Sequence, residues 1–588
     1  MRLKTPFIAL ATAGVMTLAA CGGSGGSGGD SGDSGVDRDK LGDTGDAQDA
    51  EREGPVEIEG AKKGGTVKVL SVNGLNTMDP AEAYYVNTAS ILTGLVTRSL
   101  TQYAYDEESG QMTLIPDLAT GLGTPNEDFT EWKFTIRKGA KFENGKEITA
   151  DDVKFGMLRA MDRKAFPDGP AFANDYFEGG ADYKGPYSGK STDFDAIEVD
   201  GDTLTIKMST PFPDMPYWGT FPAMGPVPEG PASTPEKYRQ HPLASGPYKF
   251  AQYNPEKNLT LVRNQAWDPK TDPGRTQYPE KYVFDVQVES AKIDQILLAD
   301  QGEGQTTMTY DDVLGADFRK FSNDHKDRLV IGGQPCTYYW GLDYRKVTDK
   351  LVREAVAWAY PYKDAILAGG NIDGVTRLSD ASALMPPGTP GRKEYTAVEG
   401  HEPGTTDPAK AKALLEEAGA MDYELKFLFA NDDPNGVAQK DVIVAALEEA
   451  GFKATPIATT TAELSEKRSD PDSDLNVRSS GWCSDWPAGS SWFPPVMQST
   501  NLDEEGLGAN YSVFSEPEVD DRIKEILQMP LEEQPEAWGD LDETIAKEYL
   551  PAIVTSYTGT AQAHGSKVNG HNIDIGYGMP TWKGIWVS

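Results

Sequence analysis

The sequence predicts an α/β protein built from several domain-sized units, and three observations carry that prediction. Segments that alternate apolar and polar side chains, the period of a half-buried strand, are interleaved with segments whose apolar residues recur every three to four positions, the period of an amphipathic helix. The chain has 588 residues, enough for three or four such units. Its hydrophobic fraction of 38% suffices for sizeable cores, and a charged fraction of 25% places the bulk among globular chains rather than disordered ones. No short tandem repeat is present.

The first segment reads as a leader. Arg2 and Lys4 are positive, and Pro6 to Leu18 is apolar and small, far too short to span a bilayer. It ends in Leu18-Ala19-Ala20-Cys21, which resembles a bacterial lipobox. The expectation is a signal peptide over 1–20 and a diacylglycerol on Cys21; an ordinary secretory peptide with a chance cysteine is the alternative. Each buried CH₂ contributes about 0.8 kcal/mol, so two acyl chains anchor where one does not. Residues 21–62 then read as a lipid-anchored, disordered Gly/Ser/Asp linker, flexible at Gly22–Gly29 and self-repelling in its acidic continuation.

The folded body is expected from Gly64. Thr66–Leu70 reads as the first strand, and Glu131–Arg137 alternates so that Trp132, Phe134 and Ile136 share a face. Thr149 caps a helix with Asp152 near its positive end, and Val153, Met157, Leu158 and Met161 form its apolar stripe. Strands follow at Thr203–Met208, Asn258–Val262 and near Tyr282–Val288. Leu351–Ala359 is a helix, and Asp407-Pro408 opens another with Ala411, Leu414, Leu415 and Ala418 inward and Gly419 at its end. Strand Glu424–Phe429 precedes a helix over Asp441–Glu449, closed by Gly451.

The net charge of −37 repels phosphate backbones and anionic headgroups, which excludes nucleic-acid binding and electrostatic docking on membranes. Three cysteines are present; with Cys21 lipidated, Cys336 and Cys483 remain. An even pair in an exported chain predicts one disulfide, with two buried thiols as the alternative.

Several blocks together resemble the family 5 bacterial extracellular solute-binding proteins, the peptide- and oligopeptide-binding class. They are Leu92–Arg98, Ile115–Ala119, Trp132–Gly145, Thr149–Val153, the turn Ser245-Gly246-Pro247-Tyr248, the helix start Val352–Val356 and the helix Asp407–Leu415. The likeness covers about Gly64 to Trp586. It implies a two-lobed, hinged, periplasmic-binding-protein-like fold of the class II type, with an extra domain inserted in the first lobe. The implied division is lobe I at 63–105, 205–330 and 554–588, the inserted domain at 106–204 and lobe II at 331–553. The ligand is expected between the lobes, stabilising the closed state by contacts the open state lacks. Where this family commonly has Asp-Arg after the Val352–Val356 helix, this chain has Pro361-Tyr362-Lys363, which affects contacts at that helix end rather than the fold.

Gly481-Trp482-Cys483-Ser484-Asp485-Trp486-Pro487 is similar to the Trp-Cys-x-Asp-Tyr segment of the oligopeptide-binding branch. There the carboxylate pairs with the ligand's α-ammonium and the cysteine is disulfide-bonded. The resemblance therefore implies Asp485 as the ammonium partner and Cys336–Cys483 as a disulfide. Trp482, Trp486 and Tyr338 are expected ligand contacts, the tryptophans limiting water and offering cation–π faces. The alternatives are a turn-capping role for Asp485 before Pro487 and core packing for the tryptophans. Arg478 is the candidate for the ligand's carboxylate, although it stands four residues before Trp482, one off the branch's register.

Other chemistries are set aside. Gly185–Ser191 resembles a phosphate loop but is one residue short and lacks a preceding apolar strand. Asn431–Gly436 resembles a calcium loop whose closing Glu falls on Val442. His241, His325, His401, His564 and His571 are scattered, which speaks against a zinc site, and no G-x-S-x-G elbow occurs. The expectation is a non-enzymatic, monomeric lipoprotein, held by its lipid on the extracytoplasmic face of the cell membrane and needing no cofactor or metal. It would capture di- to oligopeptides and deliver them to an ABC permease with its ATPase subunits. The alternatives are a non-peptide solute (an oligosaccharide, a nickel chelate, haem) on the same fold, or ligand sensing without transport.

Overall fold

The structure, a computed structural model, describes residues 48–106, 112–502 and 506–588. The expected leader, Cys21 and most of the expected linker lie outside the described residues. The end of that linker does not behave as expected. Residues 48–62 lie against the body: the Asp49 N–H donates to the Leu114 carbonyl at 3.0 Å, the Ile58 N–H to the Tyr278 hydroxyl at 2.9 Å, and Glu53 pairs with Arg137 at 2.5 Å. Val56 and Ile58 give this stretch apolar side chains to bury, which the Gly/Ser/Asp stretch before it does not have.

Three sheets organise the body. The first joins, in spatial order, Thr307–Thr309, Thr66–Leu70, Lys281–Asp285, Asn258–Arg263 and Tyr248–Asn254; the first three are parallel and the rest antiparallel. Alternate residues Val67, Val69, Leu259, Leu261, Tyr282 and Phe284 fill its core. The second is antiparallel, in the order Thr124–Pro125, Glu131–Thr135, Thr203–Lys207 and Ile197–Asp200. Trp132, Phe134, Leu204 and Ile206 are buried under the Ala150–Ala160 helix, whose Thr149–Asp152 capping box is complete. The third joins Arg377–Leu378, Ala552–Ala563, Leu329–Leu342 and Val477–Cys483. Beside it, Glu424–Ala430 and Lys453–Thr459 pair in parallel around a helix.

That helix spans Pro434–Glu449 and starts seven residues before the expected Asp441. At Asn431–Gly436 an Asx-type turn leads into that helix: Asp433 is the N-cap, accepting from Asn435 N at 3.1 Å, and Pro434 takes the first helical turn. The Gly185–Ser191 loop closes on an internal anion: Tyr187 N and Ser188 N donate to Asp162 at 2.9 and 2.7 Å.

One feature joins the two halves, and another is confined to the first. The antiparallel strands Leu329–Leu342 and Ala552–Ala563 run through both cores: Leu329, Ile331, Ala561 and Ala563 pack with Leu70 and Ile293, whereas Trp340, Leu342 and Ile553 pack with Val356 and Leu415. Beneath the first sheet lies a buried charge cluster. Arg98 and Arg275 both bond Asp117, at 2.6 and 2.8 Å, and Arg275 also reaches Asp272 at 3.2 Å, every side chain at most 1% exposed. The Arg98 and Asp117 blocks singled out in the sequence therefore meet as partners.

Candidate functional site

The site starts from a ladder. Val477–Cys483 pairs antiparallel with Leu329–Leu342, setting Cys336 opposite Cys483, Thr337 opposite Trp482 and Tyr338 opposite Gly481. The cysteines form a disulfide with Cα atoms 4.0 Å apart. Ser484 N donates to the Pro335 carbonyl at 2.8 Å, so the segment after Cys483 leaves the sheet from a fixed point. The turn beyond is held from within: Trp482 Nε1 donates to the Ser491 carbonyl at 2.8 Å, Ser491 Oγ to the Trp486 carbonyl at 2.7 Å and Trp486 Nε1 to Ser490 Oγ at 3.1 Å. This frame aims Asp485 at the other half.

Across the gap, the Tyr84 hydroxyl donates to Asp485 Oδ1 at 2.6 Å. Among the described residues no basic side chain comes within 4 Å of this carboxylate. Burial pushes its pKa up to about 6, against the lowering effect of the Tyr84 bond. Trp486 inserts into an aromatic wall, edge-on to Phe172, Phe212 and Phe221 with ring centroids 5.4, 6.0 and 6.5 Å away. Asp214 lies beside Trp486 and Ser490, and burial lifts it to about 6 as well. The arrangement sets the carboxylates of Asp485 and Asp214 among aromatic rings, surroundings suited to a cation that leaves water.

The expected residues separate into two groups. Asp485, Trp486 and Tyr338 face the junction region. Tyr338 is half-buried, with the Arg377 guanidinium 4.2 Å over its ring; a side chain on Gly481 would meet that ring at 3.0 Å, so the glycine keeps the face open. Trp482 belongs to the core of its own half, packed with Tyr339, Trp492 and Phe493. Arg478 is 1% exposed and bound at 2.9 Å to Asp343, with Arg468 and Asp470 carbonyls taking further donors, so its guanidinium is committed inside its own half and does not face a ligand. Sequence reasoning placed it on a ligand-facing strand because its buried partner Asp343 is 135 residues away.

Three further groups had no sequence signal. Tyr84 sits in a stretch without a motif. Arg377 donates to Thr558 Oγ1 at 3.0 Å, with no carboxylate within 4 Å among the described residues. Asp311 accepts from Val72 N at 2.7 Å and is raised by burial to about 7, while Asp312 accepts from Thr560 Oγ1 and Ala561 N on the crossing strand. Among the described residues no cluster of three or more metal-ligating side chains occurs, and no helix is long and apolar enough to cross a membrane.

Comparison with known proteins agrees with this architecture. Residues 113–504 match the family described as bacterial extracellular solute-binding proteins, family 5 (middle region), and the chain belongs to that family. It is 24% identical to the periplasmic oligopeptide-binding protein OppA of Salmonella typhimurium over 74% of this chain and 77% of that protein. It is 21% identical to heme-binding protein A of Haemophilus influenzae over 85% and 89%. Among solved structures it resembles clavulanic acid biosynthesis oligopeptide binding protein 2, with a TM-score of 0.79, 22% identity and 92% and 99% of the two chains covered, a likeness of fold.

Proposed function

We propose that this protein captures peptides between its two halves and hands them to an ABC importer, anchored outside the cytoplasm through a lipid on Cys21. The single observation that carries the reading is Asp485: a desolvated carboxylate at the junction, met by a neutral hydroxyl and by no cation among the described residues. A peptide's α-ammonium supplies the missing charge, and desolvating it without a carboxylate would cost several kcal/mol. Arg377, stacked on Tyr338 and with no carboxylate within 4 Å among the described residues although its charge reaches Asp312, takes the ligand's carboxylate in place of Arg478. Relatives named for binding oligopeptides and dipeptides support the ligand class. The protein acts as a monomer, and its partners are the permease and its ATPase subunits.

Native mass spectrometry of the purified protein tests this directly. A ladder of short peptides is expected; haem, a sugar or a metal complex as the sole co-purified mass would replace the reading. Asp485→Asn is expected to weaken free-amine peptides by about 2–3 kcal/mol, roughly 30- to 150-fold, and N-acetylated peptides far less. Equal losses on both would remove Asp485 from the ammonium role.

A further inference from the structure

A cavity of about 250 Å³ lies wholly outside the junction: none of its lining residues falls between Thr276 and Gly570, so the half that carries Asp485 contributes nothing to it. Its floor comes from the Thr101–Tyr105 strand and the chain's last turns, and one wall is the 52–59 strap. Lys583 and Asp574 both line it. The Lys583 ammonium donates to the Tyr103 carbonyl, and Gly576 N donates to Asp574 Oδ1 at 3.0 Å. Among the described residues the two charges do not pair within 4 Å. The Tyr103 hydroxyl and Gln102 Oε1 are buried without a hydrogen-bond partner, Gln102 being 2% exposed. Buried polar atoms of that kind call for a partner.

The charge count limits what that partner is. Next to the cavity, Arg98 and Arg275 are balanced by Asp117 and Asp272. Lys583 and Asp574 stand in the cavity wall without pairing to each other, while Asp117 and Asp272 act on Lys583 from behind and the strap adds Arg52, Glu57 and Glu59. The cavity thus presents groups of both signs, and a lone anion or cation meets only one of them. A molecule carrying both charges meets both groups, and the hydroxyl of Tyr103 and the carbonyl of Gln102 suit its remaining polar atoms. Trp582 and Met112, also in the lining, offer apolar surface for a side chain.

We propose that this cavity is a second ligand site, distinct from the interlobe gap, that takes a zwitterion of amino-acid to dipeptide size beneath the N-terminal strap. Burial holds Lys583 down to about 7 and Asp574 up to about 6, as expected for two charges awaiting compensation.

The test counts bound molecules by native mass spectrometry and calorimetry, with L-leucine and Ala-Ala as probes and acetate and methylammonium as single-charge controls. It uses the full chain and three variants. Asp485→Asn weakens free-amine ligands in the interlobe gap, roughly 30- to 150-fold on the reading above. Lys583→Met removes the cavity's cation. Val56→Trp fills the cavity from the half-buried strap without touching a buried charge. The expected result is one zwitterion still bound to Asp485→Asn, about tenfold or more weaker once Lys583→Met or Val56→Trp is added, with both controls silent. Loss of all zwitterion binding in Asp485→Asn alone overturns the second site and leaves the interlobe reading intact. Unchanged binding after Val56→Trp overturns it too, even if Lys583→Met fails to fold.

Discussion

Tyr84 and Asp485 share a 2.6 Å hydrogen bond although 401 positions separate them in the chain. The bond joins one half of the molecule to the other, so the carboxylate assigned to the ligand's ammonium also reports whether the halves are together. Tyr84→Phe removes the donor and keeps the ring packing on Phe172 and Phe221. A net loss of about 1 kcal/mol from the closed state is expected. Small-angle scattering of the free variant then shows a larger mean dimension than the parent, while peptide affinity falls less than for Asp485→Asn.

Affinity for free-amine peptides depends on pH in a set direction. Burial raises Asp485 to about 6 in the free protein, and an ammonium favours the ionised form, so the bound value is lower. Below about pH 6 binding must release a proton, and affinity falls by about tenfold per unit. Above it, affinity is flat until the peptide's own amine titrates. Calorimetry in buffers of different ionisation enthalpy measures the proton release, and Asp485→Asn should abolish it.

The disulfide closes a loop with a sequence separation of 147 residues. Chain entropy assigns it a stabilisation of about 4–5 kcal/mol. Cys336→Ser with Cys483→Ser is expected to lower the denaturation midpoint and to weaken peptide binding, because the turn that presents Asp485 leaves the sheet beside that bond. Urea denaturation and calorimetry on the same sample read the two effects separately.

Asp117 compensates two fully buried arginines at once. Asp117→Asn keeps the shape and removes the charge, and a destabilisation of about 3–5 kcal/mol is expected by chemical denaturation. An effect below about 1 kcal/mol would mean that Asp272 alone balances both guanidiniums.

Much of the fold was legible wherever local physics decides it. Asp407-Pro408 announced a capped helix, and Asp407 does accept from Ala409 N and Lys410 N at 3.1 Å. The alternation at Glu131–Arg137 placed Trp132 and Phe134 inward, as found. The candidate site was half legible. The segment around Asp485 stood out because its residue types are unusual together. Tyr84 and Arg377 did not, because their roles come from what the fold brings opposite them. Arg478 was misjudged for the converse reason: an arginine in a strand looks exposed until a buried aspartate from a distant turn is found beneath it. The strap over 48–62 was hidden by the composition of what precedes it, since a few apolar residues in an acidic stretch give no periodic signal.

The ladder between the two long strands skips a step: Gly333 pairs with Gly559 and Thr337 with Tyr557, leaving Gln334, Pro335 and Cys336 against a single residue. On its other side the same stretch is tied down, Cys336 by the disulfide to Cys483 and the Pro335 carbonyl by Ser484 N at 2.8 Å, so bending there works against the neighbouring strand's cross-link. On the proposed reading, the Tyr84–Asp485 bond and the cargo then share the work of holding the halves together.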